Sequence, residues 1–296
     1  MPELLPSPRR NYLTCTTVIK NDARYLDEWL QFHLLMGVEH FYIYENGSTD
    51  HSLSILLPYQ EAGVVTVVPW QHFSIWANTQ RLANAHAIAN FGMSTTWMAF
   101  FDVDEFVLPT DASSLTAILK EREHLHGIGV AGINFGTNGH RAIPGGLVTE
   151  NFRQAVPMMA QRNHDDLLNV KSIVQPGCVS SIESAHWFNY RDSSDVGYNE
   201  DGEPLVRYPR RQPHKLKTDV IRYNHYYTRS LEEFSAKVNG SNVRGAQLGV
   251  PAEKRWASFR RIEELGVRDD TIQRFLPALK AKIFAWQNAG PRRVSS

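Results

Sequence analysis

Three carboxylates fall within four residues, Asp102-Val103-Asp104-Glu105, directly after the apolar run Trp97-Met98-Ala99-Phe100-Phe101. Acids crowded at the end of a hydrophobic strand repel one another and are costly there unless a cation or hydrogen bonds neutralise them. In an extended segment Asp102 and Asp104 project to the same side while Val103 packs inward. Hard oxygen ligands so placed suit Mg²⁺ or Mn²⁺ shared with phosphate oxygens. Such a metal would neutralise the charge that grows on a departing diphosphate. A plain acidic turn is the competing reading.

Other residues could serve the same chemistry. Asn46-Gly47-Ser48-Thr49-Asp50 has a turn composition, with Gly47 where a positive φ is needed and Asp50 able to cap the next helix. Its side chains and amides could meet a nucleoside, or it is only a turn and cap. Lys20 could meet a phosphate, hold Asp22, or lie in solvent. His225, between Asn224 and Tyr226, could give a nitrogen to a carboxylate-bound metal, donate to a phosphate, or be a satisfied core histidine. His186-Trp187 offers an aromatic ring to stack on a sugar or base. His140 follows the glycine-rich Gly136-Thr137-Asn138-Gly139, which lacks the Lys-Ser/Thr ending of a triphosphatase loop. Arg207, Arg210, Arg211, Lys215 and Lys217 form either a wall against phosphates or a solvated loop. No Gly-X-Ser-X-Gly elbow, Cys-X-X-Cys pair, His-Glu-X-X-His or dinucleotide fingerprint occurs.

The elements that must position these groups read as alternating strands and helices. Strands are expected at 13–19, 40–44 and 64–68 and before Asp102, with helices at 23–36, 53–59 and 79–91. Asp22 is the expected cap of the first helix, whose apolar stripe is Leu26, Trp29, Leu30, His33 and Leu34. Continuous rather than alternating apolar strands imply a mostly parallel sheet covered on both faces, an α/β Rossmann-type sandwich. Right-handed crossovers then bring Lys20-Asn21-Asp22, residues 46–50 and residues 102–105 to one edge.

The second half is less regular. A helix is expected at 113–122, strands at 128–135 and 170–174, loops at 136–166, and an extended loop or lid at 186–217. Ser230 and Glu233 form a capping box for a helix at 230–237. The amphipathic segment 272–286 is expected to pack on the body or a partner subunit rather than on a membrane. The resulting divisions are a loose arm at 1–11, a main domain at 12–240 with halves 12–110 and 111–240, and a helical extension at 241–296.

Composition excludes several classes. A chain of 296 residues, 42% hydrophobic and 21% charged, can bury a large core. Its formal net charge of zero steers it to neither nucleic acid nor anionic lipid. The balance conceals an acidic first half, with 8 Lys+Arg against 14 Asp+Glu in residues 1–148, and an equally basic remainder. Two cysteines, Cys15 and Cys178, do not make a disulfide scaffold. Without a visible leader or a membrane-length apolar run, the expectation is a cytoplasmic enzyme, with peripheral contact at the inner face of the membrane and homo-oligomerisation left open.

Taken in order, Val18-Ile19-Lys20-Asn21-Asp22, Leu26-Asp27-Glu28-Trp29-Leu30, His33, Gly37-Val38, Phe41 to Asp50 and Phe101-Asp102-Val103-Asp104-Glu105-Phe106 resemble the family 2-like glycosyltransferases and the related family 92. The similarity is dense over residues 13–110. It continues through Phe135-Gly136, residues 170–176, His186 and residues 224–234. The resemblance implies a GT-A fold, a nucleotide-sugar donor, usually UDP-linked, and a divalent cation, commonly Mn²⁺. It implies that Asp102 and Asp104 match the metal and diphosphate motif, and that Asp50 matches the last acid of the nucleoside-framing turn. Asn46 stands where many family 2 members carry a base-contacting Asp. His225 matches a third metal or diphosphate contact, and Lys171 a donor-phosphate or structural contact.

The implied reaction is transfer of a hexose to a hydroxyl of a glycan, lipid or small acceptor, typically with inversion. That requires a carboxylate to take the acceptor proton. Candidates are Asp165, Asp166, Glu150 and Glu183, with Asp166 first because it precedes an apolar stretch and the Lys171 strand. Two other classes fit less well: a nucleotidyltransferase or phosphotransferase, and a non-catalytic sugar-nucleotide-binding protein.

Overall fold

The structure, a computed structural model, describes residues 10–71, 79–111, 114–191, 197–205, 211–239 and 250–289. Arg207 and Arg210 lie outside the described residues. The chain opens as β1 (Asn11–Ile19), α1 (Ala23–Leu35), β2 (His40–Glu45), α2 (Ser52–Glu61), β3 (Val65–Pro69), α3 (Thr79–Phe91) and β4 (Thr95–Phe100). These four strands are mutually parallel in the order β3-β2-β1-β4.

Their continuous apolar character has a direct cause. Cys15, Phe41, Ile43, Trp97 and Ala99 face one core, which α1 fills with Leu26, Trp29, Leu30 and Phe32. Val18, Tyr42, Tyr44, Met98 and Phe100 face the other, closed by Ala83 and Ala87 of α3. With both faces covered, no position on a strand needs to be polar. The sandwich expected from the sequence is present, with helices on both faces.

The remainder comprises β5 (Glu105–Pro109), α4 (Leu115–Lys120), β6 (Gly127–Asn134), α5 (Val148–Asn151), β7 (Gln154–Ala155), α6 (Met158–Gln161), β8 (Val170–Val174), β9 (Val179–Ser184) and β10 (Trp187–Tyr190). It continues with β11 (Gly197–Tyr198), β12 (Pro204–Leu205), β13 (Ile221–His225), α7 (Leu231–Asn239), α8 (Ala252–Leu265), β14 (Val267–Arg268) and α9 (Leu276–Asn288). Beyond β4 the sheet is mixed, because β8 runs antiparallel between β4 and β6. β13 lies parallel to β6 and antiparallel to β5, with His225 opposite Glu105.

Strands β5 and β13 are not anticipated by the sequence reading, whereas helix α8 falls within the helical extension expected at 241–296 without having been given a span of its own. Part of the expected lid, 186–217, is instead the hairpin partner β10 and the pair β11-β12. The capping box is formed: Ser230 N–H donates to Glu233 Oε2 at 3.0 Å and Glu233 N–H to Ser230 Oγ at 3.3 Å. Helix α9 packs on the body, its Trp286 stacked on Tyr59 of α2 at 4.3 Å. No helix among the described residues is long and apolar enough to cross a membrane.

Candidate functional site

Residues 102–105 close a reverse turn. Glu105 N–H donates to Asp102 O at 2.9 Å, and Asp102 N–H donates to Glu105 Oε2 at 2.8 Å. The extended geometry expected for Asp102 and Asp104 is therefore corrected, although Val103 is fully buried as anticipated. A turn satisfies the backbone where β4 reverses into β5, and it sends the two carboxylates to different partners. Asp102 accepts from Lys171 Nζ at 3.0 Å and from Gln80 Nε2 at 2.6 Å. Asp104 Oδ2 accepts from Lys237 Nζ at 3.2 Å.

Lys171 sits beneath the turn on β8. Its side chain is 1% exposed, and its ammonium also reaches Glu105 Oε2 at 3.1 Å. Burial works against its charge, but Asp102 and Glu105 prevail and hold its pKa above the usual value. Of the two roles the resemblance allowed it, Lys171 has the geometry of the structural one.

The β5-β13 register carries His225 to the turn. Its Nε2 lies 3.9 Å from both Asp104 Oδ1 and Glu105 Oε1. Asp104, Glu105 and His225 each offer one ligand atom, all within 4.8 Å of one another. Burial pushes the His225 imidazole down to about 4, against the opposing pull of Asp104. It is thus neutral and can donate a lone pair. Burial raises Glu105 to about 8, opposed by Lys171 and reinforced by Asp102 and Asp104.

Among the described residues, three acidic side chains here meet the ammonium groups of Lys171 and Lys237, and a bound cation would displace the proton that burial favours on Glu105. Two carboxylates and a neutral imidazole fit a divalent cation of the Mn²⁺ or Mg²⁺ kind. The cluster includes Glu105, which the sequence reading placed among the three acids but not among the metal ligands, and does not include Asp102, which it did.

The first two loops meet as expected. Asn21, at φ 57°, donates its N–H to Ser48 Oγ at 3.1 Å and accepts from Thr49 N–H at 2.7 Å. Gly47 has φ 71°, the conformation its turn requires. Asp22 does not cap α1; its carboxylate accepts from Lys20 N–H at 3.1 Å. Asp50 takes that task across the loops, accepting from Ala23 N–H at 3.0 Å and from Ser52 N–H at 2.9 Å. Although its partial burial pushes the other way, these bonds and the Ser52 hydroxyl hold Asp50 below the usual carboxylate range. Asn46 is buried beside them, its N–H on Ile19 O at 2.9 Å, and Lys20 is half-buried.

The remaining candidates divide. His186 is exposed, with Nδ1 3.1 Å from Val170 O. Trp187 is buried near Gly197, which corrects its proposed stacking role. His140 meets Phe152 edge-on at 5.6 Å. The basic wall is corrected at two positions: Lys215 Nζ donates to Pro204 O at 2.7 Å, and Lys217 pairs with Asp201 and Glu203.

The four base candidates are not gathered at one point. Glu150 pairs with Lys280 of α9 at 2.7 Å, and Asp165 is exposed. Asp166 accepts from Ser258 Oγ and Arg261 Nη1 of α8, both at 2.6 Å, and it shares the neighbourhood of Tyr227 with Asp104. Glu183 lies on β9, where its carbonyl accepts from Arg81 Nη1 at 3.5 Å, one residue from Gln80. Sequence reasoning missed Gln80 and Lys237 outright. The basic residue in the last turn of α7 was a faint signal for Lys237; Gln80 had none.

A family model for glycosyltransferase family 92 matches residues 10–274. The chain belongs to that family. A family 92 protein of Ricinus communis is 27% identical over 280 residues, 92% of this chain and 48% of that one. A galactan β-1,4-galactosyltransferase of Arabidopsis thaliana is 26% identical over 121 residues, 38% of this chain and 23% of that one. The chain spans about half the length of the first of these relatives, 48%. Among solved structures, S. aureus TarS 1–349 aligns over 93% of this chain and 89% of that one at 14% identity, with a TM-score of 0.39.

Proposed function

We propose that this chain transfers a hexose from a nucleotide-sugar, a UDP-sugar first, to a hydroxyl of a glycan, lipid-linked or small acceptor, with inversion and with Mn²⁺ or Mg²⁺. The observation that supports this best is the Asp104, Glu105 and His225 cluster at the edge where the parallel strands end. The relative named as a galactan β-1,4-galactosyltransferase makes UDP-galactose and a galactan the first donor and acceptor to try.

In this reading Asp104, Glu105 and His225 hold the cation, which when bound offsets charge on the donor diphosphate. Lys20, Asn46 and Asp50 frame the nucleoside, on loops cross-linked through Asn21, Ser48 and Thr49. Asp102, held by Lys171 and Gln80, keeps the turn in one shape and lines the diphosphate side. Asp166 takes the acceptor hydroxyl proton as that oxygen attacks the anomeric carbon and the bond to the diphosphate breaks on the opposite face. Ser258 and Arg261 orient its carboxylate, and Glu183 is the second choice. The halves 12–110 and 111–240 then serve donor and acceptor, and the enzyme works in the cytoplasm.

The test is a transfer assay that measures free UDP and glycosylated product. Asp104→Asn should lower turnover at least about a hundredfold while the far-UV spectrum stays native. Full turnover by that variant in a chelator would sink the proposal. Release of pyrophosphate from a nucleoside triphosphate, without sugar transfer, would favour a nucleotidyltransferase.

A further inference from the structure

We infer that Lys237 is a direct contact for the donor diphosphate, held in the free protein by Asp104 and turned to phosphate once a cation takes over that carboxylate. The inference rests on the nucleotide-sugar reading above and adds a residue to it. Lys237 Nζ lies 3.2 Å from Asp104 Oδ2, 3.2 Å from Tyr227 O and 4.4 Å from the centre of the Tyr227 ring. Its side chain is 35% exposed, whereas that of Asp104 is 6% exposed. The ammonium therefore stands between a buried cation ligand and solvent, where an incoming anion would arrive.

The backbone behind Lys237 is anchored at several points. The capping box fixes the start of α7, and Phe234 packs on Phe259 of α8 at 4.6 Å. Arg255 of α8 donates to Lys237 O at 3.4 Å. Only the flexible four-carbon stem has to move, and a compact ammonium with three rotatable donors can exchange a carboxylate for a phosphate oxygen. Were Asp104 to hold a divalent cation, its carboxylate would be satisfied and the ammonium of Lys237 would be repelled from it toward the phosphate.

The experiment is calorimetric titration of the full chain with Mn²⁺ alone, then with UDP, pyrophosphate and uridine at saturating Mn²⁺. Lys237→Met should weaken UDP and pyrophosphate about tenfold or more, as loss of a charge-assisted contact does. It should leave uridine unchanged and Mn²⁺ binding equal or tighter, and Lys237→Arg should recover most of the loss. Wild-type affinity for UDP in Lys237→Met would overturn the inference, as would an equal loss for uridine. A wild-type chain that binds Mn²⁺ but no nucleotide diphosphate would instead overturn the functional reading beneath it.

Discussion

Two lysines from different elements, a strand and a helix, meet the same acidic turn, and they do different work. Lys171 forms its floor, from the middle of the sheet, at 1% exposure and in contact with both Asp102 and Glu105. Lys237 forms its rim, from a helix end, at 35% exposure and in contact with Asp104. A buried ammonium cannot leave without stranding two carboxylates in a medium that solvates them poorly. A half-exposed one can trade partners at little cost, because water and mobile ions already screen it. The difference teaches that burial, more than charge or distance, separates a structural counter-ion from a ligand-handling one.

The sharpest way to break this comparison is at the floor. Lys171→Met should destabilise the fold by about 3–5 kcal/mol, read from urea midpoints, whereas Lys237→Met, which takes a part-exposed ammonium from one carboxylate rather than a buried one from two, should cost clearly less. Equal costs would erase the distinction between floor and rim. Next in size, His225→Ala should weaken Mn²⁺ binding at least about tenfold, followed by calorimetry; unchanged affinity would move the cation away from β13.

The core against which β5 packs should also answer to pH. His33 is fully buried, accepts from Val107 N–H through Nε2 at 3.4 Å, and has Nδ1 2.8 Å from Trp29 O. Burial pushes its pKa from 6.5 down to about 4. A depressed folded-state value means that its contribution is complete above 6.5 and is lost as pH falls toward 4. Stability should fall by up to about 1.4 kcal/mol per pH unit across that window, and His33→Gln should flatten the slope relative to the wild type. An identical slope in both would exclude His33 as its source. The smallest effect belongs to the rim's support: Ser230→Ala should cost about 1 kcal/mol, measured by thermal melts, with Lys171 and its partners undisturbed.

Much of the first half was legible before any coordinates. Helix α3 matches the expected 79–91, and the strand at 40–44 is β2 with one more residue. The capping box at Ser230 and Glu233 could be read because its two members lie three residues apart. Asp22 shows the limit of such local reading: its residue type and position suit a cap, yet Asp50 from another loop supplies the bond. Strand β8 was located correctly, but a run of five residues carries no sign of its direction, and it proves antiparallel to both neighbours. Trp187 and Lys217 looked available in sequence and are taken up by partners that are not visible there.

Short-range pattern was enough to determine an α/β sandwich, the loops at one sheet edge, and acids clustered at the end of β4, since periodicity and turn chemistry act over a few residues. Only the tertiary structure decided that Glu105 lies opposite His225, that Lys171 underlies Asp102, and that Lys237 reaches Asp104. Those pairings join residues from separate elements, and their energies depend on burial, which no local segment of the chain possesses until the whole has folded.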